Sequence, residues 1–205
     1  DTPYSGSLPS YISGFCTADD LHIDLRPLAQ FAGARLIREE IELIDLEKKL
    51  IRPKNRPAIS FDLLSINIGS KPDAIKIPGA SEFAIGIKPI DIFLQKWAKV
   101  VEEAVSTIRD KSKPYTIAIV GGGPASFEFA LAAQYRIHKE LNLKHEPDSP
   151  LQIKIISADD KLLQAHNNKV RLAAQAKADE RHIQTNFKHR VVKFKKNSIC
   201  FEGQD

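Results

Sequence analysis

One stretch constrains this chain more than any other: Tyr115-Thr116-Ile117-Ala118-Ile119-Val120-Gly121-Gly122-Gly123-Pro124-Ala125-Ser126-Phe127-Glu128. A β-branched apolar run that stops at three glycines and restarts with small residues predicts strand, tight turn and helix, the strand buried on both faces of a parallel sheet. Glycine permits the sharp turn. Without a Cβ it also lets a phosphate approach main-chain N–H groups at the positive end of the next helix. The spacing G-x-G-x-x-small is met by Gly121, Gly123 and Ser126, while Pro124 suits a first helical turn that needs no N–H partner. A Gly-rich strand-to-helix turn that binds nothing is the plainer alternative.

With 205 residues and 42% apolar composition, the chain can bury one large core or two modest ones. Its net charge of +4 comes from Lys and Arg spread over many segments, which favours mild attraction to anions over a dedicated nucleic-acid surface. The densest basic run, residues 188–196, alternates with Val191, Val192 and Phe194 and reads as a half-buried strand with a solvated face. Nucleic-acid binding through that run is therefore disfavoured. Cys16 and Cys200 form no C-x-x-C pair, the histidines no H-E-x-x-H pattern, and His138 and His145 are too loosely spaced for a metal pair. No metal site is expected, and the sparse cysteines suit a reducing, cytoplasmic setting. No apolar run approaches the roughly 18 residues of a transmembrane helix. The chain opens at Asp1 and contains no Met, as expected of a fragment.

In chain order, residues 4–14 read as a Ser/Gly/Pro loop, and Asp24 as the N-cap of a short helix that Gly33 ends. Four strands are predicted over 35–38, 41–45, 49–51 and 58–68, the last apolar enough to be central in a sheet. Residues 90–108 carry apolar side chains at helical spacing, which puts Trp97 in packing ahead of any stacking role. A polar linker at 110–114 precedes the glycine turn. Beyond it come a helix over 125–139, a polar loop over 142–150, and a strand over 151–156 that completes a βαβ unit with the usual right-handed crossover. A helix over 167–181, a strand over 183–187 and a hairpin over 190–194 and 198–201 follow.

These motifs carry a family likeness. Val120-Gly121-Gly122-Gly123-Pro124-Ala125-Ser126-Phe127-Glu128-Phe129-Ala130, preceded by Phe61-Asp62-Leu63-Leu64-Ser65-Ile66-Asn67-Ile68-Gly69-Ser70-Lys71-Pro72 and Ile77-Pro78-Gly79-Ala80, resembles the FAD-dependent pyridine nucleotide-disulfide oxidoreductases. Within them it is most similar to the type II NADH dehydrogenase-like branch. Tyr4-Ser5-Gly6-Ser7-Leu8-Pro9 and Ile87-Lys88-Pro89-Ile90 are similar to a subgroup associated with selenide, water dikinase. The resemblance implies an α/β fold: a Rossmann-like three-layer NAD(P)H-binding domain over 111–205, and an incomplete, strand-rich part of an FAD-binding domain over 1–110.

It also implies the cofactors FAD and NADH or NADPH, and a parent enzyme passing hydride from nicotinamide to flavin and on to a quinone or other small acceptor. The redox cysteine pair of glutathione-reductase-like members is absent, which points to direct reduction of that acceptor. Relatives open with a first glycine loop for FAD that is not in this chain, so the chain alone is expected to bind FAD poorly. By position, Gly121, Gly122, Gly123, Pro124, Ala125 and Ser126 form the NAD(P)H phosphate turn, with Glu128 near the nicotinamide. Gly69 and Ser70 match a turn close to FAD, where Asn67-Ile68 replace the usual Ala-Thr; Ile41 lies on the strand reaching the adenine, and Lys88 near the flavin. Ser157 holds the strand-end position where relatives place a ribose-binding acid. Asp159 either reaches back to replace that acid or, with Asp160, caps the next turn. Glu128 has its own plain reading, a carboxylate favoured by the helix dipole. No catalytic acid or base is identifiable. The implied partners are a nicotinamide dinucleotide, a small electron acceptor and selenide, water dikinase, with the parent peripheral to a membrane. The alternative function is a non-catalytic nucleotide-binding or interaction module serving selenophosphate synthesis.

Overall fold

The computed structural model describes residues 2–69, 76–144 and 146–203. In chain order the elements are β1 (Thr2–Pro3), α1 (Leu8–Ser13), β2 (His22–Ile23), α2 (Leu25–Phe31), β3 (Ile41–Asp45), β4 (Leu50–Pro53) and β5 (Ile59–Ser60). They continue with α3 (Ala80–Phe83), α4 (Ile90–Arg109), β6 (Tyr115–Val120), α5 (Pro124–Leu141), β7 (Leu151–Ile156), α6 (Asn168–Glu180), β8 (Gln184–Asn186), β9 (Val191–Lys195) and β10 (Ser198–Phe201). Packing divides the chain into two units, one of Asp1–Thr2 with Ile23–Ser70, the other of Pro3–His22 with Lys71–Asp205.

The first unit is small. Its sheet runs β3-β4-β5, antiparallel throughout, with Leu43 opposite Arg52 and Ile51 opposite Ile59. Asp24 caps α2 as its carboxylate accepts from the Arg26 N–H at 3.0 Å; hydrogen bonds from Arg26 hold that carboxyl down at about 2. Two predicted strands fail here. Residues 35–38 form no regular structure, and of 58–68 only Ile59–Ser60 pairs. The physical reason is register: Leu50, the first residue of β4, already lies opposite Ser60, so beyond Ser60 the antiparallel partner has turned away at residues 46–49. Leu63 and Ile68 are each left 91% exposed.

The second unit carries the α/β core. Strands β6, β7 and β8 form a parallel sheet in that order, with Tyr115 opposite Leu151, Val120 opposite Ile156, and Ile156 opposite Asn186. Helix α5 connects β6 to β7 and α6 connects β7 to β8, as the βαβ reading requires. Asn167 caps α6, its side-chain oxygen accepting from the Val170 N–H at 3.0 Å. Trp97 is buried, edge-on to Phe129 at 5.2 Å and stacked on Phe93 at 6.3 Å, so α4 is bolted to α5 by aromatic packing. Residues 4–14 are not a loop: a 3-10 turn at Ser5–Ser7 leads into α1, whose Leu8 and Ile12 join this core. Pro9 occupies the first turn of α1 and Gly14 its left-handed C-cap, so residues that signal a loop here punctuate a helix. A second cluster of Ala80, Ile156, Val191 and Phe194 seats the β9–β10 hairpin on the 77–84 segment.

His22 fastens the start of this unit to α4. Its ring shares one hydrogen bond with the Ala18 carbonyl at 2.8 Å and another with the Asp91 carboxylate at 3.1 Å. Both partners are acceptors, so the doubly protonated ring suits the site, and its pKa is raised, first by the Ala18 carbonyl and then by Asp91. A raised folded-state pKa gives stabilisation that is complete below the unfolded value of 6.5 and is lost as pH rises through the folded value. We expect the melting temperature to fall as pH rises above about 6.5, and Asp91→Asn to flatten part of that fall. The effect is small because both side chains keep solvent contact. Identical pH profiles for the two proteins would contradict it.

Candidate functional site

At the carboxyl end of β6 the three glycines stand in three different surroundings. The Gly121 N–H donates to the Ile156 carbonyl at 2.8 Å, extending the parallel ladder by one bond. Its φ of +124° is one that side-chain-bearing residues rarely adopt, and a Cβ there would lie 3.1 Å from Ser126 Oγ. At Gly122 a Cβ would stand 2.7 Å from Ser157 Oγ and 3.0 Å from Ser157 Cβ, and the Gly122 carbonyl accepts from the Leu163 N–H at 2.8 Å. Gly123 is the N-cap of α5 in extended geometry, and nothing lies within 4 Å of where its Cβ would be.

Pro124 opens the 18-residue α5 as its N1 residue, as expected. The first turn closes with the Phe127 N–H donating to the Gly123 carbonyl at 3.2 Å. The amides of Ala125 and Ser126 therefore stand ahead of the first intrahelical bond, at the positive end of a long helix. Chemically this end of the sheet can receive an anion against main-chain N–H groups at close range.

Ser157 follows β7 and is buried. Its N–H donates to the Asn186 carbonyl and its carbonyl accepts from the His189 N–H, both at 2.9 Å. Its hydroxyl donates to Asp159 Oδ2 at 3.2 Å and accepts from the Asp159 N–H at 3.1 Å. Asp159 is thus the exposed carboxylate at this strand end, turned back toward the position Ser157 occupies. Asp160 lies 3.9 Å from Lys188 Nζ, both largely in solvent, a weak pair. Glu128 is exposed on α5, and Lys88 is half-buried just ahead of Pro89, the N-cap of α4. Gly69, at φ +73°, and Ile41, paired with Pro53 on β3, belong to the other packing unit, while Ser70 falls outside the described residues. Cys16 and Cys200 are free thiols. No helix among the described residues is long and apolar enough to cross a membrane.

Residues 27–204 match the sequence profile of the pyridine nucleotide-disulphide oxidoreductases. The chain belongs to that family. Among curated members, External NADH-ubiquinone oxidoreductase 2, mitochondrial, from Saccharomyces cerevisiae is 31% identical over 105 residues, 48% of this chain and 19% of that protein. External alternative NAD(P)H-ubiquinone oxidoreductase B4, mitochondrial, from Arabidopsis thaliana is 23% identical over 187 residues, 83% of this chain and 32% of that protein. The fold is that of NDH2 from Plasmodium falciparum, solved in complex with NADH, at a TM-score of 0.76 and 22% identity, covering 98% of this chain and 44% of that one. The chain thus spans about a third or less of the curated pyridine nucleotide-disulphide oxidoreductases it matches. The mixed α/β architecture described above, with its parallel sheet and strand-rich parts, is the one this chain has in common with that solved structure.

Proposed function

We propose that this chain is the NAD(P)H-binding part, with a share of the FAD-binding domain, of a flavin-dependent NAD(P)H oxidoreductase that reduces a quinone or another small acceptor. Residues 111–205 form the NAD(P)H-binding domain in this reading and 1–110 the partial FAD-binding domain. The observation that carries it is the end of β6. Gly121 is bent into a glycine-only conformation and Gly123 opens onto free space at the head of α5, a fit for a dinucleotide pyrophosphate. The named activities of the two mitochondrial relatives support the same reading.

Bound NAD(P)H would supply a hydride and bound FAD would accept it, so the demanding chemistry belongs to the cofactors. The chain's own work is binding and orientation. The Ala125 and Ser126 amides donate to the pyrophosphate, and Asp159 accepts from the adenosine ribose in place of the buried Ser157. Glu128 flanks the nicotinamide end. On the FAD side, Gly69 of the first unit offers a backbone approach with nothing among the described residues within 4 Å of its missing Cβ, and Ile41 of the same unit is a further contact. The link to selenide, water dikinase rests on the resemblance at residues 4–9 and 87–90 alone. The reading is tested by titrating the chain with NADH and following nucleotide fluorescence, and by recording the visible spectrum of the whole protein before and after NADH. Saturable binding and bleaching of flavin bands are expected. A chain that leaves NADH fluorescence unchanged would sink the proposal.

A further inference from the structure

Helix α6 turns only one side of itself to the core. Ala174 and Ala178 are buried on that side, and the residues on the opposite side, Lys169, Leu172, Ala173, Ala176 and Glu180, are all exposed. Their spacing of i, i+3, i+4, i+7 and i+11 is that of one continuous helical stripe, about half a turn from Ala178. Leu172 within it is 72% exposed. The outward stripe of a surface helix is ordinarily polar, whereas this one is apolar between two charges.

Those charges stand at the wrong ends of their own helix. Lys169 is in the first turn of α6, where the backbone is positive, and Glu180 is its last residue, where the backbone is negative. The Lys169 side chain has no hydrogen bond or ion pair among the described residues. Glu180 pairs with Lys177 inside its own chain, and a carboxylate with two oxygens can take a second cation. Each charge would gain at the opposite end of a second, antiparallel helix.

Another copy of the chain supplies that helix. Positions 169 and 180 lie equally far from the midpoint between Ala173 and Ala176, so a two-fold axis there sets Lys169 level with the partner's Glu180, and Glu180 level with the partner's Lys169. The same axis brings Ala173 level with the partner's Ala176, where methyl groups let two helices approach to about 8 Å. The two Leu172 side chains fall on one flank of the seam, and the macrodipoles run antiparallel. We propose that two copies of this chain pair through the outward stripe of α6, antiparallel and about a two-fold axis. The patch is complementary to itself, as an isologous contact requires. It is also small. A 13-residue helix is about 20 Å long, so the contact is at the low end of specific interfaces and the dimer forms at about 100 µM and above. This pairing does not depend on the nucleotide site.

The experiment is sedimentation equilibrium of the whole 205-residue chain from about 10 µM to about 1 mM, repeated on Lys169→Glu and on Glu180→Lys, with circular dichroism to check each fold. The unaltered chain is expected to pass from monomer to dimer across this range. Each variant should dimerise roughly tenfold more weakly, because two attractive pairs become two repulsive ones. An equal mixture of the two variants is the decisive arm. One chain then carries two carboxylates in the seam and the other two lysines, so association should return to the unaltered level. A chain that stays monomeric at about 1 mM overturns the inference. So does association that either variant leaves unchanged, or that the mixture fails to restore. The proposed function stands in each of those cases, since NADH titration tests it separately.

Discussion

Gly79→Ala should cost the chain about 3 kcal/mol of stability. Gly79 sits at φ +81°, where an L side chain is strained by about 1–2 kcal/mol. A Cβ there would lie 2.1 Å from the Phe194 carbonyl oxygen and 3.0 Å from its carbon. That atom belongs to the backbone of β9 and cannot rotate aside. Moving it would break the hydrogen bond from the Phe194 N–H to the Pro78 carbonyl at 2.9 Å and shift a strand whose Val191 and Phe194 are buried against Ile156 and Ala80. Overpacking of this kind adds about 1–3 kcal/mol. Urea unfolding of the two proteins measures the sum, and a loss under about 1 kcal/mol would mean that the hairpin is free to slide.

The second large effect is on binding. Gly121→Val should weaken NADH binding by roughly thirtyfold or more, since a backbone held in a rarely populated region costs about 1–3 kcal/mol and the turn will relax away from the helix head. Gly123→Ala separates this from loss of fold. Its φ of −82° is ordinary and its Cβ would meet nothing within 4 Å, so stability should hold. The added methyl would nevertheless stand on the face a pyrophosphate approaches, and NADH affinity should fall by about tenfold. Unchanged affinity in both variants, measured by fluorescence titration, would remove the glycine turn from the site.

The strand-turn-helix at the centre of the chain was legible because its signals are local and agree with one another. A β-branched run, three glycines and an N1 proline all specify one geometry, and the structure has it. The parallel partner β7, the capped helix α6 and the hairpin β9–β10 were legible for the same reason. What local signals missed was supply and demand between elements. The run after Ser60 has strand composition but runs past the end of β4, and Pro9 and Gly14 frame a helix packed against the core that holds α5. At the site, the sequence placed Gly122 in the phosphate turn without giving a packing reason for glycine there. Its requirement comes from Ser157, which is distant in sequence.

The contact between Gly122 and Ser157 also bears on how such a chain changes over evolutionary time. With Ser157 buried and its Oγ 2.7 Å from where a Gly122 Cβ would stand, any side chain gained at 122 must displace Ser157, so the two positions are coupled. Position 159 is exposed and carries no such debt.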